Sequence, residues 1–340
     1  MRKKTGKRII CVILIICTAL CITLSVSSCA PTGSDDDNAS IKILCTLFPQ
    51  YDWIRSITKG VDGVEVSIII SNGTDPHSYQ PTAADIMNIS KCDALVYVGG
   101  DSDTWVKKAI ERSKNKEMKL IALTELEGIR LHDISSSSHS HEGHSHDGHS
   151  HEGHSHSALD EHLYLSLENA ITSVKAITEW LCAKDEENAE RYNQNASEYI
   201  LKLTALGNSF KSDVEQVPEE KRFILFADRF PFVYLLSDYG IHYSAAFEGC
   251  TTDVDADFDT VIRLIHEANE HNVEFIAVTE GSDKSLASTV ISSTNSKNQE
   301  IIVLNSLQSI TQKQIEKGAT YLSLMEENIK ELKRALGIKN

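Results

Sequence analysis

From residue 41 onward the chain alternates short runs of Val, Ile and Leu with longer stretches of helical spacing. In the first half the apolar runs are 41–47, 64–70, 94–98 and 119–123. They are nearly continuous, the pattern of strands covered on both faces. Helical segments fall between them at 51–59, 82–90 and 104–113. The second half repeats the scheme, with strands at 223–227, 242–247, 274–279 and 300–304 and helices at 232–239, 257–271, 284–292 and 318–336. This β-α order predicts an α/β protein of two lobes, each a mostly parallel sheet flanked by helices. Between the halves, 186–217 contains no Pro and one Gly, and Tyr192, Ala196, Tyr199, Leu203, Leu206 and Phe210 recur at steps of three and four. A helix of roughly 30 residues is about 45 Å long, enough to run along both lobes as a rigid link.

The ends of this pattern set the domain boundaries. Residues 1–28 are basic at the start (Arg2, Lys3, Lys4, Lys7, Arg8), then apolar, and end at Val26-Ser27-Ser28 before Cys29. Small residues directly before a cysteine mark a bacterial lipoprotein signal peptide, with Cys29 as the acylated residue. An uncleaved membrane anchor is the other reading of so long an apolar run. Both place the body outside the cytoplasm. The expected layout is a signal peptide over 1–28, a flexible tether over 29–40, a first lobe over 41–184, a linking helix over 185–218 and a second lobe over 219–340. A length of 340 residues suits two such lobes.

Charge narrows the partners. The chain carries 33 basic and 49 acidic residues, net −16, and loss of the first 28 residues leaves 28 basic against 49, net −21. So acidic a body excludes nucleic acid as a natural partner; it suits cation collection and, equally, solubility. Beyond the signal peptide and Cys29, the cysteines are Cys45, Cys92, Cys182 and Cys250. None forms a CxxC pair, so a zinc ribbon or thioredoxin motif is excluded. Disulfides and buried free thiols both remain open.

Histidine is where the chemistry concentrates. Residues 135–157 read SSSSHSHEGHSHDGHSHEGHSHS, without an apolar residue, and are expected to form a disordered loop. Of 14 histidines, eight are here: His139, His141, His144, His146, His149, His151, His154 and His156. Imidazoles two and three residues apart on a mobile segment can wrap zinc, copper or nickel, with moderate affinity because binding must order the loop. The HExxH spacing of a metalloprotease is absent.

An ordered site needs other residues. His77 lies in Asp75-Pro76-His77-Ser78-Tyr79-Gln80-Pro81, just after a strand and before a helix that Thr82 can cap with Asp85 three residues on. His162 lies in Asp160-Glu161-His162, which also leads into a helix. Asp228 with Arg229, and Glu280, follow the carboxyl ends of strands in the second half. In open α/β sheets ligands bind at that end of the strands.

Several of these segments resemble the zinc and manganese substrate-binding lipoproteins of ABC importers: Phe48-Pro49-Gln50-Tyr51-Asp52, DPHSYQP, Cys92 to Gly100 with Trp105, DEHLYLSLENA, Asn195 in the long helix, and Tyr234-Leu235 with Tyr239-Gly240. The similarity runs from about residue 41 to the C-terminus. It implies metal held between the lobes, with His77 and His162 as the first two ligands and Glu280 as the carboxylate of the second lobe. One position departs from the family. Arg229 falls in the slot that usually holds His or Glu, and a guanidinium has no lone pair to give. Either Asp228 takes that place or the site has three protein ligands and water; Cys250 is a further candidate.

The resemblance thus implies a protein, not an enzyme, that captures zinc with high affinity outside the cytoplasm and delivers it to an ABC importer, its membrane permease and cytoplasmic ATPase. It implies a monomer, anchored through acylated Cys29 to the outer face of the cell membrane. Two imidazoles with one or two carboxylates suit Zn2+ and also admit Mn2+, so a manganese-specific binding protein is one alternative. A surface metal buffer or adhesin without a transport role is another. Acid should weaken binding, since histidine ordinarily protonates near pH 6.5.

Overall fold

The computed structural model describes residues 41–113, 115–133, 159–248 and 256–339. The proposed signal peptide, Cys29, the tether, the histidine-rich loop and Cys250 lie outside the described residues.

The first lobe is built on four parallel strands, β1 (Ile41–Cys45), β2 (Val64–Ile68), β3 (Ala94–Tyr97) and β4 (Lys119–Ala122), in the order β2-β1-β3-β4. Around them pack α1 (Phe48–Ile57), α2 (Ala83–Ile89), α3 (Thr104–Arg112) and α4 (Leu167–Lys184). The second sheet repeats the order with β5 (Phe223–Phe230), β6 (His242–Glu248), β7 (Phe275–Thr279) and β8 (Glu300–Leu304), arranged β6-β5-β7-β8 and again parallel. Joining the two sheets in sequence is α5 (Ala189–Glu215), the 27-residue helix. Its stripe of Tyr192, Ala196, Tyr199, Leu203 and Phe210 is buried. The remaining helices are α6 (Val233–Ser237), α7 (Phe258–Glu270), α8 (Ser285–Ser293), α9 (Gln312–Glu316) and α10 (Tyr321–Ala335).

Central strands bury both faces, as their apolar runs require: all four residues of β3 are buried. One strand outruns its sequence pattern. The apolar run in β5 ends at Ala227, yet pairing with β6 continues to Phe230 across a register shift between Phe226 and Arg229. The shift absorbs one extra residue between Phe226 and Arg229 without ending the strand, and Arg229 pairs with Phe247.

The chain's last helix returns to the first lobe. The Tyr321 backbone N–H, at the start of α10, donates to Asp52 Oδ2 at 2.8 Å. Asp52 is 5% exposed. Burial pushes its carboxyl up to about 6, against the pull of the Tyr321 N–H and the Arg55 cation. The unfolded chain therefore releases this proton first, from an ordinary value of 3.8, and stability falls as pH rises from there through about 6. Two pKa units correspond to about 3 kcal/mol. Asn at this position keeps an acceptor and removes the titration. Urea unfolding of wild type and Asp52→Asn should thus diverge, in favour of the variant, by up to about 3 kcal/mol between about pH 4 and about pH 7. A constant gap at both pH values would show that Asp52 is not held neutral by its surroundings.

Candidate metal centre

His77 is placed by its own loop. Asp75 caps a single 3-10 turn, Pro76–Ser78, and its Oδ1 accepts the His77 N–H at 3.0 Å. Pro76 at the first position suits such a turn, since its missing N–H would have had no partner there. Downstream, Thr82 and Asp85 form the capping box expected from their spacing. The Tyr79 hydroxyl donates to Asp85 Oδ2 at 2.6 Å, tying the loop to α2. The imidazole Nδ1 lies 2.7 Å from Ser102 Oγ.

His162 is more deeply set, at 2% exposed. Asp160 Oδ1 accepts both the His162 backbone N–H at 2.8 Å and, at 2.9 Å, pairs with ring Nδ1. Asp160 is itself buried, and its carbonyl accepts the Tyr234 hydroxyl of α6 at 2.7 Å. A ring anchored to a carboxylate through Nδ1 ligates through Nε2; this is the usual arrangement behind a metal-binding histidine. The two ring centroids are 5.9 Å apart.

Both imidazoles line a cavity of about 10 Å3, enough for one water-sized occupant, together with Ser102, Asp103, Glu161 and Gln308. Glu161 Oε1 accepts the Ser102 N–H at 2.9 Å. Its carboxylate sits so close to Gly100 that a Cβ there would meet it at 2.3 Å. Gly100 is therefore needed for the approach of this acid, not for a turn. Asp103 accepts the N–H groups of Val98 at 2.7 Å and Gly99 at 3.0 Å. Burial pushes its carboxyl up to about 6; those two N–H groups oppose the shift, Glu161 adds to it and His77 lowers it. The pocket thus combines two imidazoles with two acids, an environment that favours a cation.

In the second lobe Glu280 directly follows β7, whereas Asp228, expected beyond its strand, lies within β5 because the strand continues to Phe230. Glu280 is gripped by Ser306, whose N–H donates to Oε2 at 2.7 Å and whose hydroxyl donates to Oε1 at 2.5 Å. Burial raises its carboxyl pKa; the Ser306 bonds oppose this and the charge of Asp228 adds to it. Asp228 uses both oxygens within its lobe: Oδ1 accepts the Arg229 N–H at 2.8 Å, and Oδ2 accepts Thr279 N–H at 3.0 Å and Thr279 hydroxyl at 2.7 Å. Arg229 Nη1 reaches the first lobe and lies 3.2 Å from Asp75 Oδ2. The guanidinium therefore grips the acid that caps the His77 turn.

The structure brings His77 and His162 together and sets Asp228 and Glu280 near each other in the second lobe. Among the described residues, no three His, Cys, Asp or Glu side chains form one metal-holding group. Glu161, Asp103, Ser102 and Gln308 were not singled out in the sequence. Two signals pointed that way: Glu161 lies within the DEH triplet, and Gly99-Gly100 implies a close approach.

A family model, the periplasmic zinc-uptake complex component A (ZnuA), matches residues 43–335. The chain belongs to the ZnuA family. The high-affinity zinc uptake system protein ZnuA of Bacillus subtilis is 31% identical over 308 residues, which cover 91% of each chain. The zinc-binding lipoprotein AdcA of Streptococcus pneumoniae is 30% identical over 87% of this chain, which spans only 56% of that longer protein. Among solved structures, the metal-dependent lipoprotein YcdH of Bacillus subtilis superposes with a TM-score of 0.68 at 28% identity, over 87% of this chain and 98% of that one. The two parallel-sheet lobes and the long helix that the sequence pattern predicted are present, and solved relatives share that fold. Cys45, Cys92 and Cys182 are free thiols. Burial drives the Cys92 thiol up to about 12, which makes it a poor ligand.

Proposed function

We propose that this chain captures a divalent metal ion outside the cytoplasm, zinc in preference to manganese, and delivers it to the permease of an ABC importer driven by a cytoplasmic ATPase. The reading includes acylation of Cys29, attachment to the outer face of the cell membrane and action as a monomer, with no catalytic step. The observation that carries it is the pair of imidazoles His77 and His162, 5.9 Å apart on one cavity and each anchored through Nδ1. Neutral imidazoles with a carboxylate match the nitrogen and oxygen preferences of zinc. In this reading Glu280 completes the set from the second lobe. Asp228 can join as a fourth ligand through the lone pair left on Oδ1, which accepts only the Arg229 N–H; otherwise water fills that position. Family relatives named for zinc uptake and zinc binding support the choice of metal, as does a Zn(II)-bound ZnuA-like domain of Streptococcus pneumoniae AdcA at 25% identity and TM-score 0.67.

The histidine-rich segment, His139 to His156, serves in this reading as a collector beside the tight site. Asp133 pairs with Leu159 in an antiparallel bridge, and Asp160 N–H donates to the His132 carbonyl at 3.0 Å. The chain is thus paired on either side of the segment and resumes at Leu159, three residues ahead of His162. Deleting 139–156 should leave about one tightly bound zinc per chain by metal analysis while slowing uptake when zinc is scarce. Equal uptake at every zinc level would remove the collector role, and loss of the tight zinc would place the principal site in the loop.

A further inference from the structure

The cavity between His77 and His162 is walled almost entirely by the first lobe. Among the described residues, Gln308 is the single residue that the second lobe contributes to its lining. No motif led to this residue, and it is not among the acids and histidines expected to ligate.

Its placement is costly, which argues that it matters. The preceding residue, Leu307, is fully buried and has φ +60°, a region that a bulky side chain rarely enters. Such strain persists only where the surroundings over-determine it. Here they do. Asn305 Oδ1 accepts the Leu307 N–H at 2.8 Å. Asn305 is itself fixed by the buried Asn328 of α10, which accepts its N–H at 2.7 Å and donates to its carbonyl at 2.8 Å. Ser306 then links both contributions of this lobe: its hydroxyl accepts the Gln308 N–H at 3.4 Å and donates to Glu280. A left-handed leucine between Ser306 and Gln308 turns the chain so that one serine holds the acid while the next residue but one lines the histidine cavity.

We propose that Gln308 is a metal-contacting residue, presenting its carboxamide oxygen to the ion that the two imidazoles hold and so setting how fast that ion leaves. The inference rests on the two-histidine site proposed above. A carboxamide oxygen is a neutral donor with no proton to lose. It adds a contact from the second lobe without adding charge to a pocket that already contains Glu161 and Asp103. Oxygen donation of this kind also favours harder divalent ions relative to an all-nitrogen site, which gives Gln308 a part in metal selectivity.

The test uses the full chain loaded with zinc and challenged with a chelator, reading the slow release phase. Gln308→Met keeps the side chain's length and removes the oxygen; it should release zinc about tenfold faster with no change in the melting of the metal-free protein. Gln308→Glu restores an oxygen donor and adds charge, and should release zinc more slowly than wild type at neutral pH. A methionine variant that releases zinc at the wild-type rate overturns the proposal. So does a glutamate variant as fast as the methionine one, because the residue would then only fill space. Should the methionine variant melt early, the glutamate variant decides alone. His77→Ala separates the two readings: a slow phase that survives it refutes the histidine site itself, whatever Gln308 does.

Discussion

Replacing His162 by alanine is expected to weaken zinc binding by more than about 100-fold, the upper range for loss of a mere supporting partner. Its imidazole is almost wholly enclosed and held on one side by Asp160, and apart from His77 the polar side chains of the cavity offer oxygen, not a second imidazole nitrogen, in its place. Asp160→Asn should have a smaller effect, about 10- to 100-fold. The amide can still accept a bond from the ring or the backbone, but it no longer favours the Nδ1–H tautomer that leaves Nε2 for the metal. Competition against a chromogenic chelator, on the chain without 139–156, measures both. Wild-type affinity in the His162 variant would mean that the metal lies elsewhere. An Asp160 variant as damaged as the alanine variant would mean that the acid ligates directly.

Trp53→Ala should cost about 3–5 kcal/mol of stability. Trp53 is fully buried on α1 and meets the Tyr321 ring of α10 edge-on, with centroids 5.3 Å apart at 74°. Tyr321 is committed on three sides: its ring to Trp53, its N–H to Asp52, and its hydroxyl to the Tyr164 carbonyl at 2.8 Å, just beyond His162. Emptying the Trp53 site leaves a cavity where the chain's last helix is fastened to the first lobe. The midpoint of denaturant unfolding reads the loss; Trp53→Phe should recover a large part of it, because much of the buried area and the aromatic contact remain. A shift under about 1 kcal/mol for alanine would show that the C-terminal helix is not a principal support of the first lobe.

The central strands were legible because a parallel sheet buries both their faces, and continuous apolar runs record that burial directly. The spacing of Thr82 and Asp85 gave a helix start for the same kind of reason, since a capping box depends only on residues three apart. Arg229 marks the limit. Its chemistry ruled it out as a ligand, but nothing local could say that its guanidinium would meet Asp75, 154 residues earlier in the chain. Both partners are more than a third exposed, so the pair adds little to stability; its interest lies in joining the second lobe to the cap of the His77 turn. Glu161 was hidden differently. Beside a histidine it looks like an ordinary surface acid, and only the missing Cβ of Gly100 lets it into the cavity.

Resemblance to a family named His77 and His162 together as metal candidates; the sequence by itself determined the two-lobed α/β architecture, the long joining helix and the histidine-rich segment. Each depends on periodicity, composition or short motifs, which are properties of neighbouring residues. Tertiary structure alone decided which acids share the cavity with those histidines, how the oxygens of Asp228 are used, and that a strained leucine carries Gln308 to the site. Those outcomes depend on contacts between segments far apart in the chain, where packing and hydrogen-bond geometry, not local pattern, select the partner.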